Sequence, residues 1–408
     1  MNKTLWSHDF TIITIGTLVS AIGSTAMNFA LSLVIYDHTS STMMTGMFAA
    51  ISLVPTILIP ILAAPVVDNA ERKQLIYKVD AFNGIFYLLF ALYLFLSPFS
   101  YAMYLLFSLV ISSTGAVYSL AYSSLYPDLI PRGYAQKGYS ISSMIYPGVT
   151  AIFTPVASVL YMNFGFSSIC LLEGLLLIVA SIAESRIQYK EVGNKREEQF
   201  KLRVYKEQLL EGIHYVKRER GIRNIYAYMA LTNASGEGVN LMNMAMFQSS
   251  PVLNTMMFAF LTTAETAGRI LGAIFHYFVK IPFKRRYQIA VSVYGIYELC
   301  DMMLLFLAYP LMVANRFLCG FLGVNSMNIR EASTQNYIPS HMRARVNAFF
   351  NVAVALVLMF SKLVAGMLGE ILPYPYVALL FAGTTMIGIY VFILRNREDV
   401  KVVYNQNI

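Results

Sequence analysis

The chain has 408 residues, of which 57% are hydrophobic and only 13% charged, with a formal net charge of +8. Soluble domains carry about 25% charged residues, so this chain has too few to cover a water-facing surface and must present much of itself to lipid. That excludes a soluble nucleic-acid-binding protein, and the excess of Lys and Arg has to be explained by position.

A hydrocarbon core of about 30 Å takes about 20 apolar residues per helix, and lipid excludes open strand edges. Apolar runs predict twelve helices, at 10–36, 43–67, 75–96, 101–126, 139–162, 166–185, 224–247, 254–279, 287–308, 309–329, 345–369 and 373–394. The first is too long for the core of a signal peptide and lacks a clear cleavage site. Basic residues mark alternate loops: Arg72, Lys73 and Lys78, then Arg132 and Lys137, then eleven from Arg186 to Arg223, then Lys280 and Lys284 to Arg286, then Arg343 and Arg345. The six opposite loops have none. Positive loops stay inside, so both termini are expected to be cytoplasmic, as an even number of spans also requires.

The predicted organisation is all-α and polytopic: a six-helix bundle at 1–185, a linker at 186–223, and a second bundle with its tail at 224–408. Ile130-Pro131 followed by Lys137 recurs as Ile338-Pro339 followed by Arg345, and Arg72-Lys73 recurs as Arg285-Arg286. Two halves in one orientation imply parallel repeats about a central site, and alternating access follows as an expectation. In the linker, Phe200, Val204, Leu209, Ile213 and Val216 recur at helical spacing, predicting an amphipathic helix on the cytoplasmic membrane face. It would serve either as a strap or as a regulatory element.

The segment from Asp68 to Lys73 resembles the cytoplasmic loop motif of the major facilitator superfamily. Gly16, Val19-Ser20, Gly23, Ala30-Leu31 and Tyr36 to Thr39, then Pro127 to Arg132, then Leu210 to Arg218 narrow the likeness. Together they resemble the drug:proton antiporter branch that contains macrolide-efflux proteins and an enterobactin exporter. The chain departs from the pattern in four places. Ala64 and Glu71 replace expected glycines, the span 5 antiporter motif is reduced to Thr154-Pro155 between Gly148 and Ser158, and span 4 lacks an arginine. Arg316, Gly320 and Gly323 in span 10 have the spacing of that span 4 motif.

The resemblance implies a monomer in a bacterial inner membrane that exchanges protons for a small amphiphilic organic compound. It further implies that spans 1, 4, 7 and 10 line the cavity, and that Asp68, Arg72 and Lys73 form a cytoplasmic gate whose ion pairs differ between states. Asp80 lies seven residues beyond Lys73, close enough to join the gate. A siderophore exporter, an uptake carrier, a lipid flippase and a non-transporting sensor stay open as alternatives. No GxxxxGK(S/T), HExxH or GxSxG motif is present, and His8, His38, His214, His276 and His341 are scattered, so neither an enzyme nor a cofactor is expected.

An ionisable residue deep in a span costs at least ~2.5–3.5 kcal/mol and usually faces a cavity or a partner. The first half has only Glu173 by this reading; the second has Glu237, Glu265, Arg269, Glu298, Asp301, Arg316 and Lys362, which places coupling chemistry there. Glu237, flanked by Gly236 and Gly238, is the leading candidate to carry a proton, against a plain packing role. Glu265 and Arg269 share a helix face, either as a static bridge or as a switch with an internal counter-charge. Glu298 and Asp301 share another face and are expected to pair with Arg316 or Lys362. Arg316 either holds an anionic group or belongs to a helix-packing motif with Gly320 and Gly323. Asn28, Tyr118 and Tyr122 are cavity candidates, while Cys170, Cys300 and Cys319 read as small core hydrophobes.

Overall fold

The computed structural model describes residues 5–131, 134–189, 202–279 and 281–406, and within them the chain is helical with no strand. The first half forms α1 (His8–Thr39), α2 (Thr42–Ser52), α3 (Val54–Asn69), α4 (Arg72–Leu96), α5 (Tyr101–Leu129) and α6 (Ala135–Ser185). The linker contributes α7 (Leu202–Arg218). Then come α8 (Arg220–Ser249), α9 (Thr255–Phe278), α10 (Arg286–Met303), α11 (Tyr309–Tyr337), α12 (Ser340–Ile371), α13 (Tyr374–Gly388) and α14 (Arg397–Tyr404).

Each expected span coincides with helix. Span 2 is broken between α2 and α3, where Pro55 in the first turn of α3 has no N–H to continue the ladder. Spans 5 and 6 run together as α6, with the chain turning at Gly165. Its φ of 72° is one that a side chain would strain, so glycine is required there. Among the described residues, eight helices are long and apolar enough to cross a membrane. Helices α8, α9 and α11 are not among them, and they carry Glu237, Glu265, Arg269 and Arg316.

The chain forms two compact units, one with the described residues to 38 and from 51 to 189, the other with 39–50 and from 202 onward. The core of the first gathers Phe10, Ile13, Ile76, Leu125 and Ile187. In the second, Ile222, Ile225, Tyr228, Ile338 and Val346 form a core that α7 and α14 complete with Val216, Val400, Val403 and Tyr404. The linker helix is therefore part of the second unit: Gly212 lies against the Arg345 carbonyl of α12, and Glu211 pairs with Arg345. Phe200 and the side chains of Val204 and Leu209 lie outside the described residues.

The start of span 2 also packs in the second unit. Glu370, near the end of α12, accepts hydrogen bonds from Ser41 Oγ at 2.6 Å and the Met43 N–H at 3.0 Å, capping α2, while Thr42 Oγ1 donates to the Gly366 carbonyl at 2.8 Å. The tail, expected only as a cytoplasmic extension, is docked. The Tyr404 and Tyr294 hydroxyls lie 2.7 Å apart, and the Tyr287 N–H donates to Asn405 at 3.0 Å.

Candidate functional site

Helix α8 places Glu237 between two glycines with different surroundings. Gly238 is pressed on the Phe381 ring of α13, whereas Gly236 has open space beside it. Glu237 accepts from Lys362 of α12, and the neighbouring Ser361 hydroxyl donates to the Ala234 carbonyl, so two adjacent α12 residues grip one face of α8. The Glu237 side chain keeps 35% of its surface exposed. The ion pair is therefore only partly buried, midway along α8.

A second group of charges joins α9, α10 and α11. Arg316 is buried and donates to Asp301, with Glu265 Oε2 at 3.8 Å; Arg269 donates to Glu265 at 2.7 Å from an exposed side chain. Two carboxylates and two guanidiniums thus balance one another, and each buried charge has a counter-charge, which its burial requires. Gly320, one turn along from Arg316, lies directly on the Glu265 backbone, a close helix contact of the kind the packing reading expects. Glu298 is buried but pairs with neither cation, accepting instead from Thr232 of α8 at 3.2 Å. Cys319 lies beside this group, accepting from Arg316 at 3.4 Å.

In the first unit Asp80 departs from the expected gate. It is 3% exposed, and Glu184 of α6 is fully buried in the same unit. Seven residues beyond Lys73 is two turns, so Asp80 lies about 10 Å deeper along α4. Arg72 instead donates to the Ser124 carbonyl at 3.4 Å, with Asp128 at 3.9 Å, and Lys73 donates to the Ile187 carbonyl. The Asp68 side chain lies outside the described residues. Tyr118 donates to Glu184 at 3.4 Å, Tyr122 lies 3.0 Å from Thr17 Oγ1, and the two rings stack at 5.9 Å; Asn28 is exposed.

The expected asymmetry of buried acids does not hold, since Asp80 and Glu184 join Glu173 in the first unit. Glu184 was missed because it stands at the edge of the basic linker, where a carboxylate reads as interfacial. The signal that could have found it is on α1. Gly16 and Gly23, two turns apart, stand where a Cβ would strike Glu184 and Glu173.

A family model described as transmembrane secretion effector matches residues 4–403. No curated protein matches the chain. Among solved structures, the POT family transporter PepTSo is 13% identical over 97% of this chain and 98% of its own, with a TM-score of 0.70. The nucleoside transporter NupG is 12% identical over 94% and 98%, with a TM-score of 0.67. A bacterial homolog of the human lysosomal transporter Spinster, in an inward-facing unoccupied state, is 14% identical over 99% and 98%, with a TM-score of 0.61. At these identities the likeness is one of fold, and the family match covers almost the whole chain. The chain belongs to the transmembrane secretion effector family and is a membrane transporter of the major facilitator type.

Proposed function

We propose that this transporter works by alternating access, exporting an amphiphilic organic compound in exchange for protons across a bacterial inner membrane, with both termini cytoplasmic. The observation that carries this reading is the Glu237–Lys362 pair. A static bridge in a low-dielectric bundle is often no better than two apolar side chains, so a partly buried ion pair joining two helices of the bundle calls for a use. A proton on Glu237 removes the attraction and releases Lys362, and solute or conformational change can then compete for each partner. An equilibrium shifts only by such a difference between states.

Export is favoured by the secretion description of the family, and an amphiphilic solute by 22 Met, 27 Phe and 28 Tyr, which give a pocket that can repack around bulky molecules. Asp68, with Arg72 and Lys73, sets the rate of cycling in this scheme. Cells producing the protein should retain less of a macrolide or a fluorescent dye than control cells, and a protonophore should abolish the difference. Equal retention for every compound in a panel of macrolides, dyes and siderophores rejects export. With Asp68→Asn, cycling should slow more than binding weakens.

A further inference from the structure

We propose that Arg269 binds an anionic headgroup, a carboxylate or a phosphate, on the amphiphile that this transporter carries. Binding stands on the geometry of the second unit, and transport of what is bound rests on the reading above. Helix α9 exposes two kinds of residue on two sides. Phe260, Leu271, Ile274 and Phe275 are exposed and, at about 100° per residue, fall in one apolar stripe. Arg269 lies about 170° round the helix from the middle of that stripe, yet its side chain keeps 56% of its surface exposed. Ala273, one turn on, is exposed on the same side. The apolar stripe suits lipid, and an exposed charge on the opposite side of the same helix suits a water-filled space. On α8, between residues 224 and 247, the exposed residues are Asn233 and Asn240, in line with Glu237. The second unit thus turns polar groups of two helices away from lipid.

Arg269 is also the guanidinium with donors to spare. A guanidinium carries five N–H groups, and among the described residues Arg269 makes one hydrogen bond, from Nη2 to Glu265 Oε1 at 2.7 Å. The remaining donors are enough for a bidentate fork on a carboxylate or phosphate. Arg316, the other candidate for an anion, is 5% exposed, and its Nη2 already meets Asp301, Asn315 Oδ1 at 3.3 Å and Cys319 Sγ at 3.4 Å. Its Nη1 lies 3.8 Å from Glu265 Oε2, so Glu265 keeps a counter-charge when Arg269 turns to a ligand. The scaffold is fixed meanwhile. A Cβ at Gly268, Gly272 or Gly320 would strike the backbone of the facing helix, so α9 and α11 lie in direct contact and Glu265 stays beside Arg316. A plain bridge between residues four apart would need neither a second guanidinium nor open donors.

These surroundings select the class of ligand. Arg269 donates and never accepts, so its ligand is an acceptor, and an anionic one makes the stronger, charge-assisted bond that can rival Glu265. A cationic head would meet two guanidiniums whose carboxylates are already engaged. An uncharged ester of the same molecule keeps the apolar body and loses the charge, so the site should tell acid from ester.

Fluorescence titration of the full-length purified transporter with dansylaminoundecanoate and its uncharged methyl ester, in nanodiscs of zwitterionic lipid with empty nanodiscs as background, tests this directly. The wild type should bind the acid at least about tenfold more tightly than the ester, the factor that one charge-assisted hydrogen bond supplies. Arg269→Gln should bring the acid down to the affinity of the ester and leave the ester unchanged, while Arg269→Lys should keep part of the preference. Glu265→Gln takes away the rival acceptor and should raise it. Should Arg269→Gln fold poorly, Glu265→Gln decides: a rise supports the site and no rise overturns it. Equal affinity for acid and ester in the wild type, a preference kept in full by Arg269→Gln, or one lowered by Glu265→Gln also overturns it. If the preference maps to Arg269 while transport ignores a pH gradient, the anion site stands and the coupled-export reading falls. If transport is proton-driven and the preference does not map to Arg269, the site alone falls.

Discussion

In the second unit Glu237 faces Lys362, and Glu265 and Asp301 share Arg269 and Arg316, so these acids are answered by cations. In the first unit Asp80, Glu173 and Glu184 are buried, Tyr118 donates to Glu184, and no cation is paired to them among the described residues. The second unit thus answers most of its buried acids with counter-charge, Glu298 excepted, whereas the first buries three acids with no such partner among the described residues. An ion pair has to be broken before it can do work, and breaking it leaves two charges to satisfy.

The largest separation between the units should come from neutralising one member of each group. Arg316→Met leaves Asp301 buried without its counter-charge and should cost about 3–5 kcal/mol, read as a fall in the unfolding temperature in detergent; adding Asp301→Asn should recover most of it. Glu184→Gln removes no counter-charge and should change stability by under ~1 kcal/mol. Equal losses would abolish the contrast. Next come the glycines that admit the acids. Gly320→Ala drives a methyl into the Glu265 backbone and should cost about 1–3 kcal/mol. Gly16→Ala meets only the end of the Glu184 side chain, with Oε1 2.8 Å from the added carbon, and should cost less.

A smaller effect, about 1 kcal/mol, is expected for Tyr404→Phe, which strips one hydroxyl from the buried pair holding the tail to the second unit. Smallest is Arg72→Ala. Its ion pair with Asp128 is long and partly exposed, so thermal stability should move by under ~1 kcal/mol. A large loss there would mean that the first unit, like the second, depends on ion pairs.

Much of this architecture could be read in the sequence because lipid imposes a single rule on every span, and basic loops punctuate the runs. Glu237, Arg269 and Arg316 stood out for the same reason, as charges inside apolar stretches. What could not be read was pairing. Lys362 meets Glu237 across 125 residues, and Glu298 turns to Thr232 rather than to a cation. Asp80 seemed to belong with Lys73 because sequence distance hides the rise of a helix. The burial of Val400, Val403 and Tyr404 was concealed by the charged residues interleaved with them, since a helix of two turns is too short for its periodicity to stand out. Likewise, no local signal indicates that 39–50 packs in the second unit, because its cap, Glu370, comes from α12.

The most direct test of proton-for-solute exchange is accumulation of a macrolide and of a fluorescent dye in everted membrane vesicles given an interior-acid pH gradient, for the wild type and Glu237→Gln at matched protein levels. The wild type should accumulate at least one of the two probes only while the gradient lasts, and Glu237→Gln should show no gradient-driven component. Gradient-driven accumulation of the same size in Glu237→Gln would contradict the account.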